Sequence, residues 1–171
     1  MSLLLDLFGY LSIVVHGLVI IAQSMMLGGV LFLVLLARPF AGEFAAGPGI
    51  RDSAARIAAW SALGLIVAEG ATVAMQTAVL VGTVDLPVWN VLGANFAIAG
   101  LVKIAAAAAL AVLLLVRAPG LVLLAVGLVE LVAATFTTHA EARLADNDLL
   151  LGVEALHQLG AAIWIGGIPT S

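Results

Sequence analysis

Long apolar runs separated by short polar segments are the main pattern of this 171-residue chain. Each run comes close to or exceeds the roughly 20 apolar residues that a helix needs to cross a membrane. A strand that pairs with nothing cannot satisfy its backbone in lipid, so the pattern predicts helices and no sheet. We therefore expect an all-α, polytopic transmembrane bundle that forms a single domain over residues 1–171. Its five predicted helices cover about residues 7–37, 57–82, 95–116, 121–138 and 149–168.

The polar segments contain residues that end helices. Arg38-Pro39 closes the first run, because proline cannot continue the interior of a helix. The segment from Arg117 to Gly120 contains Pro119 and predicts a tight turn. Trp89 lies in a predicted loop, where an amphipathic ring suits the membrane interface. The first run lacks the basic start of a signal peptide, so we expect it to remain as a structural helix.

Composition supports a lipid environment. Apolar residues make up 64% of the chain and charged residues 9%, and the mean hydropathy is +1.27. A soluble domain carries about 25% charged residues, so this chain has too little charge to cover its surface against water. The absence of cysteine excludes disulfides and thiolate metal sites. A net charge of −4 argues against nucleic acid as a partner, since phosphate binding needs a basic face.

The distribution of basic residues predicts an orientation. Arg38, Arg51 and Arg56 lie between the first and second helices, and Arg117 follows the third. The other two connections are mainly acidic. Basic loops face the cytoplasm in membrane proteins. We therefore expect a multi-pass protein of the bacterial inner membrane with a periplasmic N-terminus and a cytoplasmic C-terminus.

Ionisable residues inside membrane helices are costly, which makes each of them a candidate for function. Six fall within the predicted helices: His16, Glu69, Lys103, Glu130, Glu154 and His157. Gln76 is an uncharged polar addition, and His139 lies where the fourth helix meets the outer loop. Counting along each helix predicts similar depths for His16 and His157 in the outer half of the bilayer.

The chemistry of these residues leaves alternatives open. Neutral imidazole is the commonest metal ligand, but membrane histidines also join helices through hydrogen bonds. Met25 and Met75 carry thioethers that suit Cu(I), although methionine more often fills gaps between side chains. Glu154, three residues before His157, could orient that histidine or line a path to it.

The three remaining charges, Glu69, Lys103 and Glu130, predict buried ion pairs, with a proton relay as the sharper alternative. A di-iron site would need a second copy of the glutamate–histidine pair, and the chain has one. We expect no enzyme activity of the hydrolytic or phosphoryl-transfer classes, because the corresponding phosphate-loop, HExxH and GxSxG motifs are absent.

The segment THAEARLADNDLLLGVEALHQLGAAIWIGGIP resembles the copper resistance D (CopD) family. The resemblance rests on His139, His157, Trp164 and the glycine pair Gly166-Gly167. The first helix resembles the opening helix of that family through His16 and the motif Leu27-Gly28-Gly29, but Met25-Met26 stands where a tryptophan is usual. Gln76 and the loop after it also resemble the family, whose members usually have about eight helices.

The resemblance implies a protein that binds copper and moves it inward from the periplasm. His16, His157 and His139 would hold the ion, with Met25 or Met75 as a soft ligand. The implied partners are the lipid bilayer, a periplasmic copper carrier or c-type cytochrome, and further copies or subunits in an oligomer.

Two other functions stay open. CopD-like domains occur joined to c-type cytochromes, and the wider group resembles haem-pathway membrane proteins. The first alternative is therefore a membrane b-type cytochrome with His16 and His157 as axial ligands of haem b. The second is a structural subunit of a respiratory complex.

Overall fold

The computed structural model describes residues 2–40, 42–43, 47–84, 86–137 and 147–167. Every regular element in these ranges is a helix, as the sequence predicts. The elements are α1 (Ser2–Phe32), which continues as a π-helical turn (Leu33–Ala37), α2 (Gly47–Val84), α3 (Val88–Leu92), α4 (Asn95–Leu115), α5 (Gly120–Thr135) and α6 (Asn147–Gly167). The prediction of an all-α chain is confirmed.

Three helical segments are long and apolar enough to cross a membrane: Phe8–Ala37, Gly47–Val84 and Asn95–Leu115. Two shorter apolar helical segments, Gly120–Thr135 and Leu151–Ile165, follow them. These lengths agree with a membrane location for the chain. They leave the prediction of five complete spans as a prediction.

Two helical segments lie where the sequence predicts loops. α2 begins at Gly47, ten residues before its predicted start at residue 57. The glycine, proline and charges of this segment indicate a loop, but proline is tolerated in a first helical turn, and Ala54 packs in the core. α3 is a short helix after Pro87, whose fixed φ suits the residue before a helix.

The end of α1 widens into the π turn just before Pro39. The amide of Arg38 donates to the carbonyl of Leu33 at 2.9 Å, a five-residue span. Wider turns of this kind interrupt α-helices locally and change the direction of the side chains that follow. The turn places Arg38 at one end of the bundle, where it lines a cavity described below.

α1 is the central helix of the bundle and packs against α2, α5 and α6. It runs antiparallel to α2, because Gly29 lies beside Ala58 and, further back along α1, Ala22 lies beside Gly64. A β-carbon added to Gly29 would lie 3.0 Å from the β-carbon of Ala58. Small residues of this kind let helix backbones approach closely in lipid.

α4 and α5 complete the bundle. α4 packs against α2 and α5, and α5 returns to α1 where Gly127 faces Leu27. The four helices α1, α2, α4 and α5 therefore surround a shared core that includes Met26, Leu65, Leu110 and Leu123. α6 lies against α1 and only lightly against α5. The charged residues of the next section lie between α2, α4 and α5.

Candidate functional site

A buried ion pair joins α2 to α4. The ammonium Nζ of Lys103 lies 2.8 Å from Oε2 of Glu69, and both side chains are buried. Charged groups in an apolar interior require a partner of opposite sign. The predicted internal pairing of these two residues is confirmed.

Gly100 makes room for this pair. A β-carbon at position 100 would lie 2.6 Å from Cγ2 of Val73 and 3.1 Å from Oε1 of Glu69. Gly100 is one turn before Lys103 on α4, so the two residues face the same neighbour. The missing side chain therefore lets α4 approach α2 closely enough for the ammonium to reach the carboxylate.

Glu130 on α5 is the most deeply buried charged residue of the described chain, with 0% of its surface exposed. Neither of its carboxylate oxygens has a hydrogen-bond partner among the described residues. It is close enough to interact electrostatically with both Lys103 and Glu69. The three residues thus form a cluster, called here the charge cluster, with two carboxylates and one ammonium. The lysine is hydrogen-bonded to Glu69, which leaves Glu130 without a paired cation in the described part of the chain.

A second polar group connects α1 with α6. Nε2 of Gln23 donates to Oε1 of Gln158 at 2.9 Å, and Nε2 of Gln158 donates to Oε1 of Glu154 at 3.0 Å. Glu154 therefore bonds to the residue after His157, one turn along the same helix face. The expectation that Glu154 orients His157 finds no contact in its support, since the partner of Glu154 is Gln158.

The two predicted histidine ligands lie on different helices, α1 and α6. The hydrogen bond between Gln23 and Gln158 joins the ends of two long side chains of these helices. His157 is adjacent to Gln158, whereas His16 is seven residues from Gln23, about 10 Å along the axis of α1. Both histidine side chains are exposed on the surface of the chain. The similar depths expected from counting along separate helices stay a prediction.

The methionines also lie apart. Gly64 lies level with Ala22 across an antiparallel pair, so Met75 lies near the level of residue 11 of α1. Met25 is about 21 Å further along the axis. One ion cannot contact both thioethers, and each methionine is only half-buried. Gln76, next to Met75, is exposed.

The described residues contain no group of three or more histidine, aspartate or glutamate side chains positioned to hold a metal ion. His139 lies outside these residues. Trp164, which the sequence places in a motif with His157, is exposed on the same helix. His157 and Trp164 together mark a face of α6 that no described helix covers.

Two residues that shape the charge cluster and the polar group between α1 and α6 are not predicted from the sequence. Gly100 carries no chemical signal, because one glycine among many small residues of α4 looks like any other. Gln158 does carry one: an amide in an apolar helix needs a partner, as Gln23 does.

Comparisons of the chain with models of protein families, with curated proteins and with solved structures give no match.

Proposed function

We propose that this chain is a multi-pass protein of the bacterial inner membrane that transports a cation, with the charge cluster as the place where charge is taken up and released. The observation that carries the proposal is the position of Glu130. It is fully buried, and its carboxylate has no hydrogen-bond partner among the described residues. Buried polar groups nearly always have partners, and unpartnered ones concentrate where function requires them.

The charge count explains why Glu130 matters. With all three groups ionised, the charge cluster holds two negative charges and one positive charge. The ammonium of Lys103 lies 2.8 Å from Oε2 of Glu69 and forms its ion pair with that carboxylate. Uptake of one proton or one monovalent cation such as Cu(I) by Glu130 makes the interior neutral, and its release restores the negative charge. A carrier needs such a change to couple a conformational step to an ion.

The helices support the membrane part of the proposal. Three segments have the length and apolarity of spans, and the apolar α5 and the segment Leu151–Ile165 would supply two more. Arg38, Arg51, Arg56 and Arg117 gather at one end of the bundle, where they line one cavity. Under the rule that basic ends face the cytoplasm, five spans give a periplasmic N-terminus and a cytoplasmic C-terminus.

Copper is the cargo that the resemblance to the CopD family favours. His16 and His157 lie on different helices, and both are exposed. In our proposal each histidine belongs to a separate copper-binding site. The further ligands of each site come from His139, from Met25 or Met75, or from a partner. A periplasmic copper carrier or another copy of the chain could supply the missing ligands to an exposed imidazole.

Transport by proteoliposomes tests the role of Glu130. Vesicles containing the chain would enclose one dye for copper and one for protons, and copper would be added outside. We expect Glu130→Gln to reduce copper uptake and the accompanying proton movement at least tenfold. Glu43→Gln is the matched control, because it makes the same chemical change at an exposed residue outside the charge cluster and should leave both signals within about twofold. Equal transport by the wild type and Glu130→Gln would refute the proposal.

An absorption spectrum of the purified protein separates copper from haem b. In a b-type cytochrome His16 and His157 would both bind one iron as axial ligands, and both are exposed on the surface of the chain. A Soret band that disappears in both His16→Ala and His157→Ala would nevertheless replace the copper proposal with a b-type cytochrome.

The structural-subunit alternative is supported by the uncovered face of α6, which carries His157 and Trp164. Extraction in a mild detergent tests it. A partner that co-purifies with the wild type and is lost from Trp164→Ala, while copper uptake is unchanged in that variant, would favour this alternative.

A further inference from the structure

A cavity of about 1060 Å³ opens at the end of the bundle opposite the N-terminus of α1. It lies between the end of α1, the first five turns of α2 and the end of α4. Four arginines line it: Arg38, Arg51, Arg56 and Arg117. The whole chain contains only six lysines and arginines. Most of its basic residues are therefore gathered around this single cavity.

The acidic lining of the cavity does not balance these charges. Asp52 lies 3.4 Å from Nε of Arg51 through Oδ1 and 3.5 Å from Nη2 of Arg117 through Oδ2. Within the part of the chain that the structure describes, Arg38 and Arg56 form no ion pair. Four guanidinium groups thus share one carboxylate, and the cavity has an excess of positive charge.

The backbone holds Arg117 in an unusual conformation. α4 ends in a Schellman motif, in which the amide of Ala118 donates to Leu113 at 2.9 Å and that of Arg117 donates to Leu114 at 3.2 Å. The residue between these bonds takes a left-handed conformation and is usually glycine. Here it is Arg117, with φ of 56°. A side chain that glycine lacks is therefore kept at the mouth of the cavity, despite the strain of this conformation.

The rest of the lining is apolar. Ala55, Ala59 and Leu63 of α2 and Ala111, Leu114 and Leu115 of α4 form the walls below the arginines. Trp60 also lines the cavity and is 72% exposed, and Leu115 is 76% exposed. The walls continue onto the outer surface of the bundle. The cavity is consequently basic at its end and apolar along its side.

We propose that this cavity binds an anionic phospholipid, with its phosphate among the arginines and one acyl chain along α2 and α4. Guanidinium groups bind phosphate through paired, charge-assisted hydrogen bonds. Basic pockets between membrane helices take up anionic headgroups in this way. The excess of positive charge favours an anionic over a zwitterionic lipid. The apolar wall favours a lipid over a free phosphate ion, which would leave the wall empty.

Quenching of Trp60 by brominated lipids tests the proposal. A chain with Trp89→Phe and Trp164→Phe would report on Trp60 alone, and both replaced rings are exposed. It would be placed in phosphatidylcholine vesicles containing either brominated phosphatidylglycerol or brominated phosphatidylcholine at equal mole fraction. We expect preferential quenching by the phosphatidylglycerol. Each basic residue near a membrane surface contributes about fivefold to such binding.

Removal of basic and of acidic residues from the lining should change the preference for phosphatidylglycerol in opposite directions. Arg38→Gln with Arg56→Gln removes the two guanidinium groups without an acidic partner and should lower the preference roughly 25-fold, the product of two fivefold effects. Asp52→Asn removes the single lining carboxylate and should raise it. Arg51→Gln is the control, since it removes the same charge from a residue already paired with Asp52, and its effect should be smaller than that of either unpaired arginine. The Asp52→Asn result keeps the test informative if the double variant does not fold.

Equal quenching by the two lipids would overturn the proposal, as would a preference unchanged in both the double variant and Asp52→Asn. Inorganic phosphate distinguishes a free anion from a lipid. If the protein binds radiolabelled phosphate at millimolar concentration but shows no preference for brominated phosphatidylglycerol, the cavity binds a free oxyanion and the lipid proposal fails.

Discussion

The ionisable residues of the charge cluster are buried, whereas those on the outer faces of α1 and α6 are exposed. In the charge cluster, Glu69, Lys103 and Glu130 are buried by helices of the same chain. On the outer faces, His16 and His157 are exposed, and no described helix covers them. The sequence marks all five residues in the same way, as ionisable groups in apolar helices. Only the first set is brought together within one chain, so its loss should affect folding, whereas loss of the second should affect binding.

The largest effect is expected from Lys103→Met. It leaves Glu69 buried beside Glu130 with no cation, and breaking a buried pair by removing one partner costs about 3–5 kcal/mol. The midpoint of thermal unfolding in detergent measures this loss. The double variant Lys103→Met with Glu69→Gln should recover most of the stability, because no unpaired charge is then left at this pair. A double variant no more stable than the single one would contradict the pairing.

Gly100→Ala should have the next largest effect. The added methyl group would overlap Val73 and press on Glu69, and overpacking of this kind costs about 1–3 kcal/mol. Gly70→Ala is a matched control on α2, since a β-carbon there has no neighbour within 4 Å. Alanine is the better helix former by about 0.5–1 kcal/mol, so this control should be neutral or stabilising. If both variants unfold at the same temperature, the close approach at Gly100 is not required.

Gln158→Leu should weaken the attachment of α6 to α1. It removes the hydrogen bonds to Gln23 and Glu154, and hydrogen bonds between membrane helices contribute about 0.6 kcal/mol on average. Faster proteolysis or hydrogen exchange in α6, with α2 and α4 unchanged, would report the loss. Loosening of α4 to the same extent would show that the two regions are not independent.

The smallest effects on folding are expected from His16→Ala and His157→Ala. Substitution of exposed residues usually changes stability by no more than about 0.5 kcal/mol. Copper content of the same preparations, measured by mass spectrometry after copper loading, provides the contrast. Both variants should melt with the wild type and bind less copper. A large drop in unfolding temperature would instead assign these histidines to packing against a partner.

The sequence predicts the parts of the fold that depend on composition along one helix. Asn95 and Arg117 bracket an apolar run, and α4 is found within one residue of its predicted ends. The start of α2 at Gly47 differs from the predicted start at residue 57, because Pro48 indicates a loop unless it falls in the first turn of a helix. The ion pair of Glu69 and Lys103 was predictable, since a membrane charge requires a partner.

The positions that depend on packing between helices were not predictable. The contact of Gln23 with Gln158 depends on how α1 packs against α6, which counting along either helix cannot give. Likewise, Met26 rather than Met25 enters the core, because the packing of α1 sets its rotation about its axis. Glu130 has no hydrogen-bond partner among the described residues, because the ammonium of Lys103 binds Glu69 instead. Each of these features depends on how two helices pack against each other.

α2 is long enough to extend from the arginine-lined cavity to the charge cluster and beyond. Its 38 residues extend roughly 57 Å, almost twice the thickness of a hydrocarbon core of about 30 Å. Asp52 at the arginine-lined cavity and Glu69 in the charge cluster lie on this one helix, about 25 Å apart. No proline interrupts the helix between them. Because one continuous helix carries both residues, we expect a rotation of α2 about its axis at the cavity to change the position of Glu69 relative to Lys103.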